Sequence, residues 1–147
     1  MTRTAEAYVG SCHCEAIGFA YRTGQHASTW RVRACQCGFC RAHQALSTSD
    51  PAGSIEFEER HAGLLNRYHF GQHTADFLIC RECGVYIGAL IETAHGGFGI
   101  INVNALRPIP SGLSEPVIME YGSETKEQRI ARREQRWSPV TALRIQP

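Results

Sequence analysis

The sequence predicts a small, mainly β protein of antiparallel strands with one helix near the C-terminus. Short runs rich in β-branched, aromatic and aliphatic residues recur between turn signals, which is typical of strands. A single capped segment with helical periodicity follows late in the chain. The 147 residues, 43% of them hydrophobic, suffice for one globular core. We therefore expect one domain over 1–147, with a core at about 8–106 and a C-terminal tail and helix at 107–147.

Seven segments have the composition of strands. They lie at 16–22, 28–34, 55–60, 64–70, 75–79, 85–92 and 98–103. Clusters of glycine, proline and small polar residues separate several of them, and the cluster at 95–97 is typical of a hairpin loop. The pattern is that of a mostly antiparallel β protein.

The composition changes after residue 104. Two prolines at 107–112 require an extended or turning chain, because each fixes its own φ and restricts the residue before it. The one helix is predicted over 125–136, where Thr125 and Gln128 form a capping-box pattern and Ile130 and Trp137 can share a face. Its outer face carries the cations Lys126, Arg129, Arg132, Arg133 and Arg136.

Composition argues against several classes of function. Lysine and arginine number 15 against 14 for aspartate and glutamate, so no overall field drives the chain to nucleic acid or an anionic membrane. No stretch approaches the roughly 18 apolar residues of a membrane span, and residues 1–10 lack the apolar region of a signal peptide. We expect a cytoplasmic protein, in which seven cysteines make a poor disulfide framework and metal binding is favoured.

The cysteines fall into three groups whose spacing predicts zinc ligands. In a strand, Cys12 and Cys14 project from the same face and can offer two sulfurs to one ion. Cys80 and Cys83, followed by a glycine, form a C-x-x-C knuckle, in which a tight turn brings two thiolates together. Joined, the two pairs give a closed and therefore structural four-thiolate zinc site.

The central group, Cys35, Cys37 and Cys40, offers three thiolates within a short segment. Once the four-cysteine site is filled, no cysteine remains to complete it, and three protein ligands with an open position are the coordination of a catalytic zinc. Spacing alone leaves alternatives: the triad could borrow another cysteine, or His43 could be its fourth ligand. Free cysteines packed in a core are the alternative without metal.

An open zinc site with three thiolates suits thiol chemistry better than hydrolysis. The thiolates give the site a net negative formal charge and lower its Lewis acidity, whereas a thiol, with a free pKa of about 8.5, binds it as thiolate. A thiolate held there can attack an electrophilic carbonyl carbon, and the reverse reaction cleaves the same carbon–sulfur bond. We expect a thiol-addition or carbon–sulfur lyase reaction between a small-molecule thiol and a small electrophile.

The three cysteine groups, in this order, resemble those of the glutathione-dependent formaldehyde-activating enzymes. Weaker matches follow at 102–106 and at Trp137, so the resemblance covers nearly the whole chain. The segments that carry it are Gly10-Ser11-Cys12-His13-Cys14, the triad followed by Arg41, and Cys80-Arg81-Glu82-Cys83-Gly84. Relatives of this family such as centromere protein V are described as chromatin-associated.

The resemblance implies a β-tent fold and two zinc ions per chain. It implies an activity like that of S-(hydroxymethyl)glutathione synthase, in which formaldehyde is joined to glutathione as co-substrate. The implied ligands are Cys12, Cys14, Cys80 and Cys83 for a structural zinc, and Cys35, Cys37 and Cys40 for a catalytic zinc.

Glutathione carries two carboxylates, so a site for it should offer cations. The candidates are Arg31, Arg33, Arg41 and Arg67, of which Arg41 is favoured because it directly follows a ligand. Two rival functions are a binding module, with structural zinc and the basic helix facing nucleic acid or protein, and a redox sensor using the triad thiols. Nucleic acid is the less expected partner, because glutamates dilute the charge of the helix.

Overall fold

Eleven strands and two helices make up the part of the chain that the computed structural model describes, residues 6–72 and 74–145. Short 3₁₀ turns at Ala27–Thr29 and Val103–Ala105 complete the regular elements. The helices are α1, Gly38–His43, and α2, Lys126–Arg136. The strands are β1 Glu6–Ser11, β2 Ile17–Thr23, β3 Arg33–Cys35, β4 Ser47–Thr48, β5 Ser54–Glu59, β6 Leu65–Tyr68, β7 Asp76–Cys80, β8 Tyr86–Thr93, β9 Gly96–Asn102, β10 Val117–Met119 and β11 Ser138–Ile145.

The strands form one continuous hydrogen-bonded path in the order β1-β2-β5-β11-β9-β4-β3-β10, and β8, β7 and β6 extend from β9. The pairs β11–β5 and β10–β3 are parallel, and the other pairs are antiparallel. Strand β11 joins the two halves, because Pro139 lies opposite Phe98 of β9 whereas Val140 lies opposite Ile55 of β5. The predicted mainly β, largely antiparallel fold with a C-terminal helix is confirmed.

Six of the seven predicted strands have counterparts close to their predicted bounds, and the prediction at 28–34 is wrong for 28–32, because the strand is confined to Arg33–Cys35. There the chain forms a 3₁₀ turn, in which the Thr29 hydroxyl donates to the His26 carbonyl at 2.7 Å and the Trp30 indole donates to the Gln25 carbonyl at 3.2 Å. Such local hydrogen bonds compete with a strand ladder for the same backbone groups. The sequence did not predict β1, β4, β10, β11 or α1.

The apolar side chains form two core clusters, and each cluster supports one cysteine group. The larger cluster contains Tyr21, Trp30 and Phe57, and it includes Cys12 and Cys80, which are 0% and 1% exposed. The smaller cluster contains Phe77, Tyr86, Trp137 and Cys40. The fold therefore sets the two cysteine groups against different parts of the core, where packing restrains their side chains.

Helix α2 begins with the capping box that the sequence predicts. The Gln128 amide donates to the Thr125 hydroxyl at 3.1 Å, and the Thr125 amide donates to the Gln128 side chain at 2.9 Å. At the other end Trp137 is buried in the smaller cluster. On the side facing the β8–β9 hairpin, Glu134 accepts hydrogen bonds from Thr93 at 2.9 Å and His95 at 2.5 Å. These contacts fix the helix against the sheet.

Candidate metal centres

The four-cysteine group is built from two turns at one end of the larger core. Cys12 and Cys14 lie in the turn between β1 and β2, and Cys80 and Cys83 lie where β7 turns into β8. Cys12 and Cys14 thus converge from a turn, whereas the sequence predicted that they project from one face of a strand. Gly84 follows the second pair with a φ of +81°, a conformation that glycine adopts without strain.

The geometry of this group fits a tetrahedral metal site. The Sγ atoms of Cys12 and Cys14 are 3.8 Å apart, and those of Cys14 and Cys80 are 3.6 Å apart. All four sulfurs lie within 4.8 Å of one another. A tetrahedron with zinc–sulfur bonds of about 2.3 Å has edges of about 3.8 Å, so these separations suit one zinc ion.

Backbone amides orient the sulfurs of this group. The amide of Ile17 donates to Sγ of Cys12 at 3.4 Å, and the amides of Glu82 and Cys83 each donate to Sγ of Cys80 at 3.4 Å. Burial raises the pKa of Cys12 to about 12, so its free thiol is protonated at neutral pH. Metal binding at this site would therefore release protons and would couple to folding of the two turns.

The triad is organised by the short helix α1. Cys35 ends β3, Cys37 is the N-cap of α1, and Cys40 lies within the helix, where its amide donates to Sγ of Cys37 at 3.4 Å. The three sulfurs lie within 4.8 Å of one another. Contacts with the Cys35 and Cys40 side chains lower the pKa of Cys37, because they stabilise its thiolate. Three soft donors at this separation fit zinc.

The position of His43 bears on whether the triad is open. Among the described residues, the group of potential ligand atoms at this site consists of the three cysteine sulfurs and does not include His43. The His43 ring lies on α1, exposed to solvent, and packs on the Phe39 ring with 4.4 Å between centroids. This geometry places the imidazole away from the sulfurs.

A cavity of about 320 Å³ lies beside the triad, and all three cysteines line it. One wall is apolar and is formed by Phe70, Phe77, Ile100 and Trp137. A volume of this size is at the lower end of the range for small-molecule sites, and an apolar lining with a few polar groups is typical of them. The four-cysteine group is outside this lining, which is the arrangement expected of one structural and one reactive site.

Four arginines give the same cavity a cationic side: Arg33 from β3 and Arg129, Arg132 and Arg133 from α2. Arg129 and Arg132 are paired with Glu124, at 3.4 Å and 2.8 Å respectively. The hydrogen bond from Arg132 lowers the pKa of Glu124, so this carboxylate is ionised at neutral pH. Burial lowers the pKa of Arg133 to about 10, which leaves it a cation at neutral pH.

The arginines that the sequence proposed as glutathione contacts are placed differently from one another. Arg33 lines the cavity, whereas Arg31 and Arg41 are exposed and are not among the lining residues. Arg67 is paired with Asp76 at 3.1 Å, outside the triad cavity. A contact between Arg41 and glutathione stays a prediction.

The sequence interpretation missed the inward role of α2. It assigned Arg129, Arg132 and Arg133 to a solvent-exposed face, yet these three residues line the cavity and Arg133 is only 8% exposed. Arg132 and Arg133 follow Arg129 by three and four residues, which is the periodicity of a helix face that packs against a neighbour. That spacing was the available signal.

Together, these features define a class: a small, mainly β protein with a closed four-cysteine group and a separate three-cysteine group facing a cavity. The chain belongs to the glutathione-dependent formaldehyde-activating enzyme family, because its residues 7–119 match the sequence model of that family. Helix α2 and strand β11 follow the matched segment.

The fold is also similar to a solved structure. The crystal structure of a Rhodobacter sphaeroides protein superposes with a TM-score of 0.58 at 25% sequence identity, and the match covers 76% of this chain and 99% of that one. A comparison with curated proteins found no match. Within the described residues, no helix has the length and apolar character needed to cross a membrane.

Proposed function

We propose that this chain catalyses the reversible addition of a small-molecule thiol, such as glutathione, to formaldehyde or another small electrophile. In the forward direction the sulfur–carbon bond forms at the carbonyl carbon, and the thiol proton ends on the carbonyl oxygen. The reverse direction breaks the same bond, which is the reaction of a carbon–sulfur lyase. Family membership supports the glutathione and aldehyde chemistry in general terms.

The observation that carries the proposal is the three-sulfur cluster bordering a cavity. We propose that Cys35, Cys37 and Cys40 hold a catalytic zinc, and that Cys12, Cys14, Cys80 and Cys83 hold a structural one. When bound at the triad, zinc supplies a soft Lewis-acid centre that keeps a thiol deprotonated at neutral pH. The packing of Cys40 in the smaller core fixes one ligand, and the N-cap position of Cys37 fixes another.

The apolar wall contributes in a second way. Phe70, Phe77 and Trp137 line the cavity beside the triad, where a bound substrate would displace water from around the reacting atoms. A site that excludes water favours attack by a thiolate over hydrolysis and strengthens electrostatic contacts with the substrate. The chain's own residues thus position the reactants and restrict their surroundings, which is the part of catalysis that proximity supplies.

The rival proposal of a nucleic-acid-binding module loses its main support. It requires the cations of α2 to face solvent, yet Arg129, Arg132 and Arg133 line the cavity, whereas Lys126 and Arg136 are exposed. Two exposed cations on one helix make a weak phosphate-binding surface. A salt-titrated DNA-binding assay tests this alternative, because a phosphate contact loses affinity steeply as salt rises.

The enzyme proposal is tested by NMR exchange between glutathione, formaldehyde and their adduct. Protein whose zinc content has been measured as two ions per chain should accelerate the exchange over buffer, and Cys37→Ser should abolish the acceleration. Arg136→Met, at an exposed residue of α2 that does not line the cavity, is the control and should keep the acceleration. Exchange at the buffer rate with both sites loaded would reject this substrate pair.

A further inference from the structure

Arg133 is a buried cation whose donors are only partly satisfied. Its Nη1 donates to Oγ1 of Thr74 at 2.6 Å, and its guanidinium lies over the Trp137 ring at 4.8 Å. Its Nε is buried and has no hydrogen-bond partner, although the residue is only 8% exposed and lines the triad cavity. A buried donor without an acceptor destabilises the folded protein, and the effect is larger when the donor belongs to a charged group.

Arg33, on strand β3, repeats this arrangement. Its Nη2 donates to Oγ of Ser49 at 2.6 Å, its Nε is buried without a partner, and it lines the same cavity. Ser49 in turn donates to the backbone carbonyl of Arg136 at 2.7 Å, so the residue that holds Arg33 is bonded to the end of α2. The two guanidiniums are thus held by hydroxyl groups on separate loops and border one space.

The acidic groups nearby do not neutralise this pair. Among the described residues, no carboxylate forms an ion pair with Arg33 or Arg133. Glu124 is engaged by Arg129 and Arg132, and Glu120 lines the cavity without an ion pair to Arg33 or Arg133. Desolvating a cation is costly unless an anion and hydrogen bonds compensate, so an anion bound between the two arginines would stabilise them.

We propose that Arg33 and Arg133 form the binding site for a carboxylate group of the substrate, inside the cavity that the triad borders. The role of the carboxylate ligand as a substrate rests on the proposed function, whereas its binding to the two arginines does not. The four cavity arginines outnumber the neighbouring carboxylates of Glu120 and Glu124 by two. A triad that holds zinc carries a net negative charge, which offsets part of this positive excess. The remaining excess suits a monoanion such as a carboxylate better than a phosphate dianion.

This assignment makes α2 a determinant of specificity. Arg133 belongs to the segment after the family match, and a substrate without a carboxylate would leave both guanidiniums without an anionic partner. A site built around buried donors discriminates strongly against an analogue that lacks the acceptor. The carboxylate can be carried by the thiol, as in glutathione, or by the electrophile, as in a 2-oxo acid.

The experiment is isothermal titration calorimetry of zinc-loaded protein with S-methylglutathione, which keeps both carboxylates but cannot supply a thiolate, and with its diethyl ester. A parallel titration uses glyoxylate. The variants are Arg133→Met and Arg33→Met, which keep most of the side-chain volume and remove the charge. Arg136→Met is the matched control, because Arg136 is an exposed arginine on the same helix and is not a cavity-lining residue.

We expect each cavity variant to raise the dissociation constant of the carboxylic acid ligand at least about tenfold, whereas Arg136→Met leaves it unchanged. The diester should bind wild type as weakly as it binds the variants. If the variants bind S-methylglutathione more weakly than wild type does, the recognised carboxylate belongs to the thiol substrate. If they bind only glyoxylate more weakly, it belongs to the electrophile. The proposal is overturned if the affinity of neither acid depends on Arg33 or Arg133. A diester that binds wild type as tightly as S-methylglutathione excludes the thiol as the carrier of the carboxylate, and it overturns the proposal unless the cavity variants weaken the binding of glyoxylate.

Two further measurements keep these outcomes interpretable. Zinc content and thermal unfolding are recorded for every variant, and a variant that fails to fold is replaced by Arg133→Gln or Arg33→Gln. The comparison of acid with diester on wild type needs no variant at all. Binding without accelerated exchange would count against the proposed reaction alone, and exchange without dependence on either arginine would count against this inference alone.

Discussion

Ser138 and Asp50 exchange two hydrogen bonds: the Asp50 amide donates to Oγ of Ser138, and that hydroxyl donates to the Asp50 carbonyl, both at 2.8 Å. Both residues are buried, and the Asp50 carboxylate also accepts from the Thr23 hydroxyl at 2.6 Å. The joint fixes the start of β11 directly after Trp137. It therefore holds the C-terminal segment, with its cavity arginines, against the family core.

Replacing Ser138 by alanine should lower the free energy of unfolding by about 1–3 kcal/mol, because it leaves a buried amide and a buried carbonyl without their partner. Urea unfolding followed by circular dichroism measures the change. Ser123→Ala, at an exposed serine before α2, should change stability by less than about 0.5 kcal/mol. Equal effects of the two substitutions would show that the joint contributes nothing.

Cys37→Ser should reduce bound zinc from about two ions per chain to about one, because a serine hydroxyl is a poor zinc ligand. The fold should persist, since Cys37 lies on the rim of the smaller cluster at the start of α1. Metal analysis of purified protein and circular dichroism measure the two quantities. Loss of the fold in this variant would make the triad a structural site.

Cys80→Ser should lower the stability of the fold as well as the zinc content. Its sulfur is buried in the larger core and accepts two amide hydrogen bonds, so loss of metal there should also destabilise or unfold the β1–β2 and β7–β8 turns. Thermal unfolding with and without a chelator compares this variant with Cys37→Ser. Similar melting curves for both would contradict the division into structural and catalytic sites.

Glu124 should make stability depend on pH in the acid range. Its folded pKa is lowered by Arg132 and Arg129, so its contribution to stability is present above its unfolded pKa, about 4.3, and is lost as pH falls through the folded pKa. Glu124→Gln should therefore be less stable than wild type at pH 7, and the difference should shrink on acidification. Protonation of zinc ligands affects both proteins, so the difference isolates Glu124. In Glu115→Gln, at an exposed site, no such pH-dependent difference should occur.

Gly10→Ala should destabilise the protein by about 1–3 kcal/mol through overpacking. A Cβ at this position would lie 2.3 Å from Cζ of Phe19 and 2.6 Å from the Ala105 carbonyl oxygen, so the core or the backbone would have to move. At Gly122 a Cβ meets nothing within 4 Å, which makes Gly122→Ala the control. A melting temperature of Gly10→Ala equal to that of the control would mean that the core adjusts freely.

The cysteine groups could be predicted from the sequence because their spacing is local. The separation of Cys80 from Cys83, or of Cys37 from Cys40, constrains where the sulfurs lie whatever the rest of the fold. The strands with dense apolar runs, such as β7 and β8, were predicted for a similar reason. A short continuous run of apolar residues predicts a buried strand from its composition alone.

The cavity could not be predicted in the same way, because it depends on contacts between distant segments. Arg133 faces inward only because Trp137 and Ser138 anchor the end of α2, and the partner of Ser138 lies 88 residues earlier in the chain. Strand β11 was interpreted as part of a tail, since its sequence pattern gives no sign that β5 leaves an edge for it. Tertiary packing decided both outcomes.

The parallel pairing of β11 with β5 has a consequence for the order of events during translation. When residues 6–105 have emerged from the ribosome, β2 and β5 can already pair. Strand β5 then still lacks its second partner, because residues 138–145 have not been made. An open strand edge of this kind is a template for pairing with other chains. The nascent polypeptide thus keeps an unpaired edge on β5 until its last strand emerges, and a slow passage through α2 would lengthen that interval.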